Sequence, residues 1–596
     1  MDVIGQNPFS VQTPEGMSAQ EIVDLFVDIF SDYFNVQKTG HAFLHGPRGS
    51  GKSMMLRFMA PDCQMISRNV SLKQLPYFGV YASIKATDLR LSEFARLKDK
   101  FAEVILAEHA MALFFATKTI FAIDSAVSIS NLSEAESKEV FQTCSRILER
   151  LQQAGWTPKS EAEKPTTLAD LVKLFDSLYL RTIAYLRTVS FTGKDMPYSD
   201  ALLGFHDFLL PLFKDLSSLS FMPSGPIFLM IDDADNLSEK QTQILNTWVS
   251  SRSTDFVCLK IATQLNYKTY RTINEGKIAS PHDFSESNIT SIYTSPKERY
   301  PNWVKEIVRK RLQRAAITAS PEEFFPEDKA QEAKIEEIAK ELKANWPKFG
   351  RGYRPEDDAY RYARPEYIKR LRGSSKQGST YRYAGFKQIV HISSGVIRHF
   401  LESASLMYGE QRKHSKHGTV QFIDPRIQHD ILKGQSDNFM MAEFDRLAID
   451  EQQNPDNVTK TQRLKNLVTV LGGLFQMILV SNAAERRIFS FALSDELDPE
   501  VKEVLKLGIE NGYLYEAAIG TKEGTGRTRL YVLSRMMAPH FLLDPTGFSA
   551  YKFVTNEFLR SAILHPTTTL RSIKNRIDDE VIGSSQRDLF SEETSS

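Results

Sequence analysis

Two kinds of apolar pattern divide the chain. Short apolar runs at 42–44, 77–84, 226–231 and 256–262 predict strands, with a further short one at 289–293. The run at 226–231 has no alternation, which predicts a strand buried on both faces, as in a parallel sheet. Helical spacing fills the rest. At 19–34 the apolar positions Ile22, Val23, Phe26, Val27 and Phe30 recur with that period. Between the strands, segments 94–123, 134–153, 168–188 and 202–216 predict a helical insertion at about 92–222, with Pro- and Ser-containing connectors such as 157–160.

The C-terminal pattern is different. One apolar helix is predicted at 464–479, and a second opens at Asp498 and Pro499. The second places Val501, Val504, Leu505 and Ile509 on one face, with Gly512 just past its end. Strands follow at 513–519 and 529–533, joined by the glycine-rich hairpin 520–528, a winged-helix pattern. The longest clean apolar run, 468–480, is too short to span a bilayer, so a buried helix and no membrane segment are predicted.

The 596 residues exceed what one core holds. Lys plus Arg equals Asp plus Glu, 74 each, so nucleic-acid contact would need a local patch rather than a global field. Cys63, Cys144 and Cys258 are scattered without a C-x-x-C, which points to neither zinc nor disulfides and fits a reducing cytoplasm.

The chemistry is concentrated after the first strand. Gly46, Pro47, Arg48, Gly49, Ser50, Gly51, Lys52 and Ser53 form G-x-x-x-x-G-K-S, followed by a helix-like stretch. Glycines at these spacings let backbone N–H groups turn inward around phosphates. Lys52 is placed to reach the β- and γ-phosphates of a nucleoside triphosphate such as ATP, and the Ser53 hydroxyl to ligate Mg²⁺. The strand at 226–231 ends in Asp232 and Asp233. The first is expected to hold Mg²⁺ through water, the second to polarise an attacking water. At the end of the next strand, Thr263, or failing it Gln264, can touch both the γ-phosphate and that water.

Strand order, the stretch Asp232-Asp233-Ala234-Asp235-Asn236-Leu237, and the helix from Trp303 to Arg311 resemble AAA+ ATPases of the origin-recognition (initiator) clade. So does Ser394-Gly395-Val396-Ile397-Arg398, a small-residue turn followed by arginine. The resemblance spans roughly 5–545. It implies an ATPase in which Arg398 reaches the γ-phosphate from a helical lid, and a setting that in several such proteins is an anti-phage defence operon. The clade usually ends the acidic strand in Asp-Glu. Asp-Asp is found in signal-transducing NTPases of the STAND group, many of which turn over slowly. Arg271 is the candidate for the arginine finger that completes a neighbour's site, with a helix-surface charge the other reading.

The expected fold is α/β: a P-loop (AAA+) parallel sheet with helical insertion, an α-helical lid and a winged helix. The expected divisions are an N-terminal segment 1–40, which either covers adenine or packs as a helix, and a nucleotide domain 41–295. A lid 296–410, a linker 411–460, a winged helix 461–555, and a final helix with a disordered tail, 556–596, complete the chain. Inside the lid, 348–387 interleaves Lys348, Arg351, Arg354, Arg361, Arg364, Lys369, Arg370, Arg372, Lys376 and Arg382 with Tyr353, Tyr360, Tyr362, Tyr367, Tyr381 and Tyr383. That composition suits DNA contact and a protein interface equally. Lys522, Arg527 and Arg529 on the wing could enter a DNA groove, while winged helices also dock proteins or clamp their own domains. An effector protein and self-assembly into a homo-oligomer are the other partners expected.

Overall fold

The computed structural model describes residues 7–582 except 29–30, 90–92, 95–96, 98–99, 131, 159–163, 193–196, 252–254, 266, 290–298, 346–354, 374–379, 416–419, 450–457, 482–485, 521–526 and 547–549. The chain forms two compact units, one of residues 12–290 and one of residues 1–11 with 291–596.

The first unit is built on a five-stranded parallel sheet, β1 (Ala42–His45), β2 (Phe78–Ser83), β3 (Ile227–Asp232), β4 (Val257–Thr263) and β5 (Ser285–Asn288). Its order is β2-β3-β4-β1-β5, with every neighbouring pair parallel. All of β1, β3 and β4 is buried, as expected of strands covered on both faces. β5 lies a few residues before the predicted 289–293, of which 290–293 fall outside the described residues. One buried charge sits in β4: Lys260 donates to the carbonyls of Lys38 and Gly40 at 2.6 and 2.7 Å. These bonds tie down the turn that feeds β1. Burial lowers the Lys260 pKa to about 8.

Helices Lys100–Ser130, Glu134–Gln153 and Leu168–Thr192 pack into the same core as the sheet. Trp248, fully buried, stacks on Phe205 and donates its indole N–H to Glu108 at 3.0 Å. The predicted helix 202–216 is instead a wide π-type turn, Phe205–Leu209, running into helix Leu210–Ser217. Pro211 has no N–H to give, and the widened turn lets the Leu210 N–H reach the Phe205 carbonyl.

The N-terminal segment departs from expectation. Residues 7–11 belong to the second unit, where fully buried Phe9 packs between Phe324 and Phe325 with ring centroids 5.7 and 5.5 Å away. Asn7 donates to the Ser405 carbonyl at 2.8 Å. Further on, the predicted helix 19–34 is two, Ala19–Leu25 and Ser31–Val36, because Phe26 turns extended and stacks on Phe58 at 3.9 Å.

In the second unit, residues 411–460 are not a simple linker. They contain a 25-residue helix, Pro425–Ile449, with Gln428, Leu432, Ser436, Met440 and Phe444 on its buried face. C-terminal to it lies a four-stranded sheet of β6 (Ile488–Leu493), β7 (Leu514–Gly520), β8 (Arg527–Leu533) and β9 (Ala550–Val554), in the order β7-β8-β6-β9. β6 and β9, which pair in parallel, were not foreseen in the sequence pattern. Two helices, Asn556–Leu564 and Pro566–Ile582, replace the single one expected at the C-terminus, and the predicted tail from 583 lies outside the described residues.

Two helices, Phe101–Ile129 and Lys460–Val480, are by length and composition apolar enough to cross a membrane. In the fold 61% and 56% of their most apolar windows are buried inside the protein. A Cβ on Gly472 would stand 2.4 Å from the Phe541 ring, so glycine here permits close packing.

Candidate functional site

β1 ends at His45, and the chain turns at once through residues 46–51 into helix Lys52–Phe58. Gly49 and Gly51 have φ of 82° and 100°, which glycine adopts without strain, and Gly51 caps the helix. The loop packs tightly: a Cβ on Gly46 would lie 2.8 Å from Ser50 Oγ. Pro47 and Gly49 are half-buried and Arg48 is exposed. Lys52 is 6% exposed and donates to the Gly46 and Pro47 carbonyls at 2.7 and 3.0 Å. Burial lowers its pKa, while the carboxylates of Asp232, Asp233 and Asp235 oppose that fall.

The sheet register brings the second half of the site to the same edge. His45 stands opposite Thr263, and Ser83 opposite Asp232, so β1, β2, β3 and β4 all end beside the loop. Asp232 is fully buried. Its Oδ1 accepts the Asp233 N–H at 3.0 Å, its Oδ2 accepts from the Tyr81 hydroxyl at 2.8 Å, and the Ser53 hydroxyl is near enough to favour its charged form. Burial raises its pKa against those bonds and the charge of Lys52. Asp233 is held at φ 54°, an uncommon conformation for a non-glycine residue, at the start of a short 3-10 turn. Burial, then the charges of Asp232 and Asp235, push its pKa up to about 6.

The two candidates at the end of β4 divide their work. Thr263 Oγ1 is buried with no hydrogen-bond partner among the described residues. Gln264 donates to Asp235 at 2.8 Å, and Arg48 pairs with the same carboxylate at 3.5 Å. Ser50 Oγ is a second buried polar atom without a described partner beside the loop. A hydroxyl, a carboxylate and unpartnered polar atoms around a glycine loop fit a nucleotide's phosphates and Mg²⁺, which takes one or two protein oxygens and keeps its waters.

Sequence reasoning missed Tyr81, Asp235 as the partner of Arg48 and Gln264, and His45, which pairs with Glu286 at 2.8 Å while burial lowers its pKa. The available signal was a polar side chain near the C-terminal end of a buried parallel strand. Arg271 is not on a helix. It forms an isolated bridge with Lys277 and pairs with Glu275 at 3.2 Å on an exposed turn. Arg398 belongs to the second unit, exposed in the first turn of helix Ile397–His414.

Three tyrosines of the basic, tyrosine-rich segment, Tyr367, Tyr381 and Tyr383, are buried. Tyr381 and Tyr383 are 2% and 0% exposed, so neither ring can stack on a base. Arg364 bonds to Glu332 and Tyr381 at 2.7 and 2.8 Å, Arg370 forks onto Glu341 at 2.9 and 3.0 Å, and Arg382 pairs with Asp328 at 2.6 Å. For these residues the composition reflects amphipathic side chains whose polar tips meet the protein's own groups, while Tyr360 is exposed. Residues 346–354, with Lys348, Arg351, Tyr353 and Arg354, and Lys376 lie outside the described residues. Tyr383 Oη lies 3.0 and 2.9 Å from the Ala538 and Leu543 carbonyls. Tyr383→Phe is therefore expected to cost about 1–3 kcal/mol of stability, read as a lower melting temperature, without moving nucleotide or DNA affinity. On β8, Arg529 is exposed and pairs with Glu516 at 3.3 Å; Lys522 and the Arg527 side chain lie outside the described residues.

A parallel sheet carrying a phosphate-binding glycine loop on one strand, and an acidic pair two strands away, defines an α/β P-loop ATPase of the AAA+ class. A family model described as ORC-CDC6-like matches residues 7–553, and the chain belongs to that family. No curated protein matches the sequence.

Proposed function

We propose that the protein binds ATP with Mg²⁺, hydrolyses it, and uses its nucleotide state to control how its C-terminal region engages DNA or a partner protein. The observation that carries this is the convergence of Lys52 and Ser53, at the start of the helix after the glycine loop, on buried Asp232 and its neighbour Asp233. Bound Mg²⁺ would neutralise phosphate charge and orient the transferring group. Lys52 would hold the β- and γ-phosphates, Ser53 and Asp232 the metal. Asp233 would take a proton from the attacking water, and Thr263 would align that water. Asp233 suits this role because an acid with a pKa near working pH can both accept and release a proton.

Arg398 is proposed to sense the γ-phosphate. In support, it is exposed and sits in a helix's first turn, where a cation is poorly placed unless an anion accompanies it. DNA contact is assigned to Lys522, Arg527 and Arg529 on a winged helix, supported by the hairpin of β7 and β8 that bears them. Buried Tyr381 and Tyr383 take no part. Cytoplasmic location, homo-oligomerisation and a defence role are parts of the proposal resting on sequence and resemblance.

A second reading, a slow switch that scaffolds an effector protein, is favoured by one observation. Asp233 is the shorter acid, and it shares its corner with two further carboxylates. Steady-state hydrolysis with and without duplex DNA distinguishes the two. DNA-stimulated turnover supports the first; tight nucleotide retention with negligible turnover supports the second. Replacing Lys522, Arg527 and Arg529 by Ala is expected to flatten the salt dependence of DNA binding by up to about three phosphate contacts. Filter binding over a salt series checks this, and an unchanged slope removes the wing from the DNA assignment.

A further inference from the structure

β2 brings to the acidic corner a side chain that belongs to neither the glycine loop nor the acidic pair. The Tyr81 hydroxyl lies 2.8 Å from Asp232 Oδ2 and 2.8 Å from Glu15 Oε1. A phenol carries one proton, and an ionised carboxylate can only accept. The hydroxyl therefore serves one of the two acids at a time.

The two acids have different settings. Asp232 is fully buried, with Oδ1 occupied by the Asp233 N–H, so Tyr81 holds the other oxygen and sets the rotation of the carboxylate. Glu15 is exposed, on the turn Pro14–Gly16 just past the point where the chain enters the nucleotide unit at Gln12. Loss of a group that orients a metal-holding side chain typically costs about 10–100-fold in metal affinity or activity.

We infer that Tyr81 is a positioning residue for Asp232, and that Glu15 competes for its proton and thereby weakens the hold on that carboxylate. When the hydroxyl turns to Asp232, Oδ2 is held and the carboxylate's rotation is fixed; when it turns to Glu15, Oδ2 is released. The N-terminal segment thus has a direct influence on metal retention. The inference rests on the assignment of Asp232 to Mg²⁺.

The test is equilibrium binding of a fluorescent ATP analogue to the full chain, titrated with Mg²⁺ and repeated in EDTA. Tyr81→Phe keeps the ring, and a matched melting temperature establishes its fold. It is expected to need about tenfold more Mg²⁺ for half-maximal binding, with binding in EDTA like wild type. Glu15→Ala removes the competitor and is expected to shift the curve toward lower Mg²⁺. An unchanged curve for Tyr81→Phe overturns the positioning role, and an unchanged or raised requirement for Glu15→Ala overturns the competition. Asp232→Asn separates the levels: if it too leaves the Mg²⁺ dependence intact, the metal assignment itself fails.

Discussion

Lys52→Ala is expected to lower ATP affinity by at least about a hundredfold, roughly 3 kcal/mol. The side chain is buried, surrounded by Asp232, Asp233 and Asp235, and held against the loop by the Gly46 and Pro47 carbonyls. Without its charge, three carboxylates face the phosphates with one fewer cation to offset them. Arg48 cannot substitute, because it is exposed and paired with Asp235. The variant should fold, since Lys52 already bears the desolvation cost of burial and alanine suits a helix. Calorimetric titration with ATP, alongside thermal melting, checks both statements. Wild-type affinity in a folded variant would disprove the phosphate-binding role of the loop.

Asp233→Asn is expected to leave ATP binding within a few-fold of wild type and to slow hydrolysis by about 10²–10⁴. An amide cannot take the proton of the attacking water, while Asp232, Ser53 and Lys52 remain in place to hold metal and phosphate. The same residue dictates the pH profile. Its raised pKa, about 6, means that the acid is protonated and inactive below that value and becomes the working base above it. Hydrolysis should therefore rise through about pH 6 and level off, and the rise should vanish in the Asn variant. Asp233→Glu asks whether the short side chain limits the rate. A faster enzyme would mean that it does. A slower one would mean that the left-handed turn at φ 54° is built around aspartate. Phosphate release measured across pH for the three proteins distinguishes these outcomes.

Most of the phosphate-binding corner was legible because its parts are local. The G-x-x-x-x-G-K-S spacing, the buried run ending in Asp232 and the strand ending in Thr263 each lie within a few residues, and the sheet only had to bring their ends together. Contacts made across the fold left no such trace. Tyr81 meets Asp232 over 151 positions of sequence and Glu15 over 66, distances at which no periodicity speaks. Tyr381 and Tyr383 failed for another reason. Composition reports that tyrosine and arginine are together, but not whether their polar tips meet bases or the protein's own Gln388, Glu332 and backbone carbonyls. The split at Phe26 and the long helix Pro425–Ile449 were likewise settled by packing that sequence spacing does not encode.

The placement of Phe9 dictates an order of assembly. Residues 7–11 pack with elements beyond residue 299, so the nucleotide unit is inserted within the sequence of the other unit. During synthesis Phe9 leaves the ribosome more than 300 residues ahead of Phe324 and Phe325, the rings it packs between. The nucleotide unit, continuous from 12 to 290, can close first, since domains generally fold as they emerge. Its completion precedes the docking of Phe9. Residues 7–11 are thus among the last described segments to find their partners, although they are synthesised before the unit that closes first.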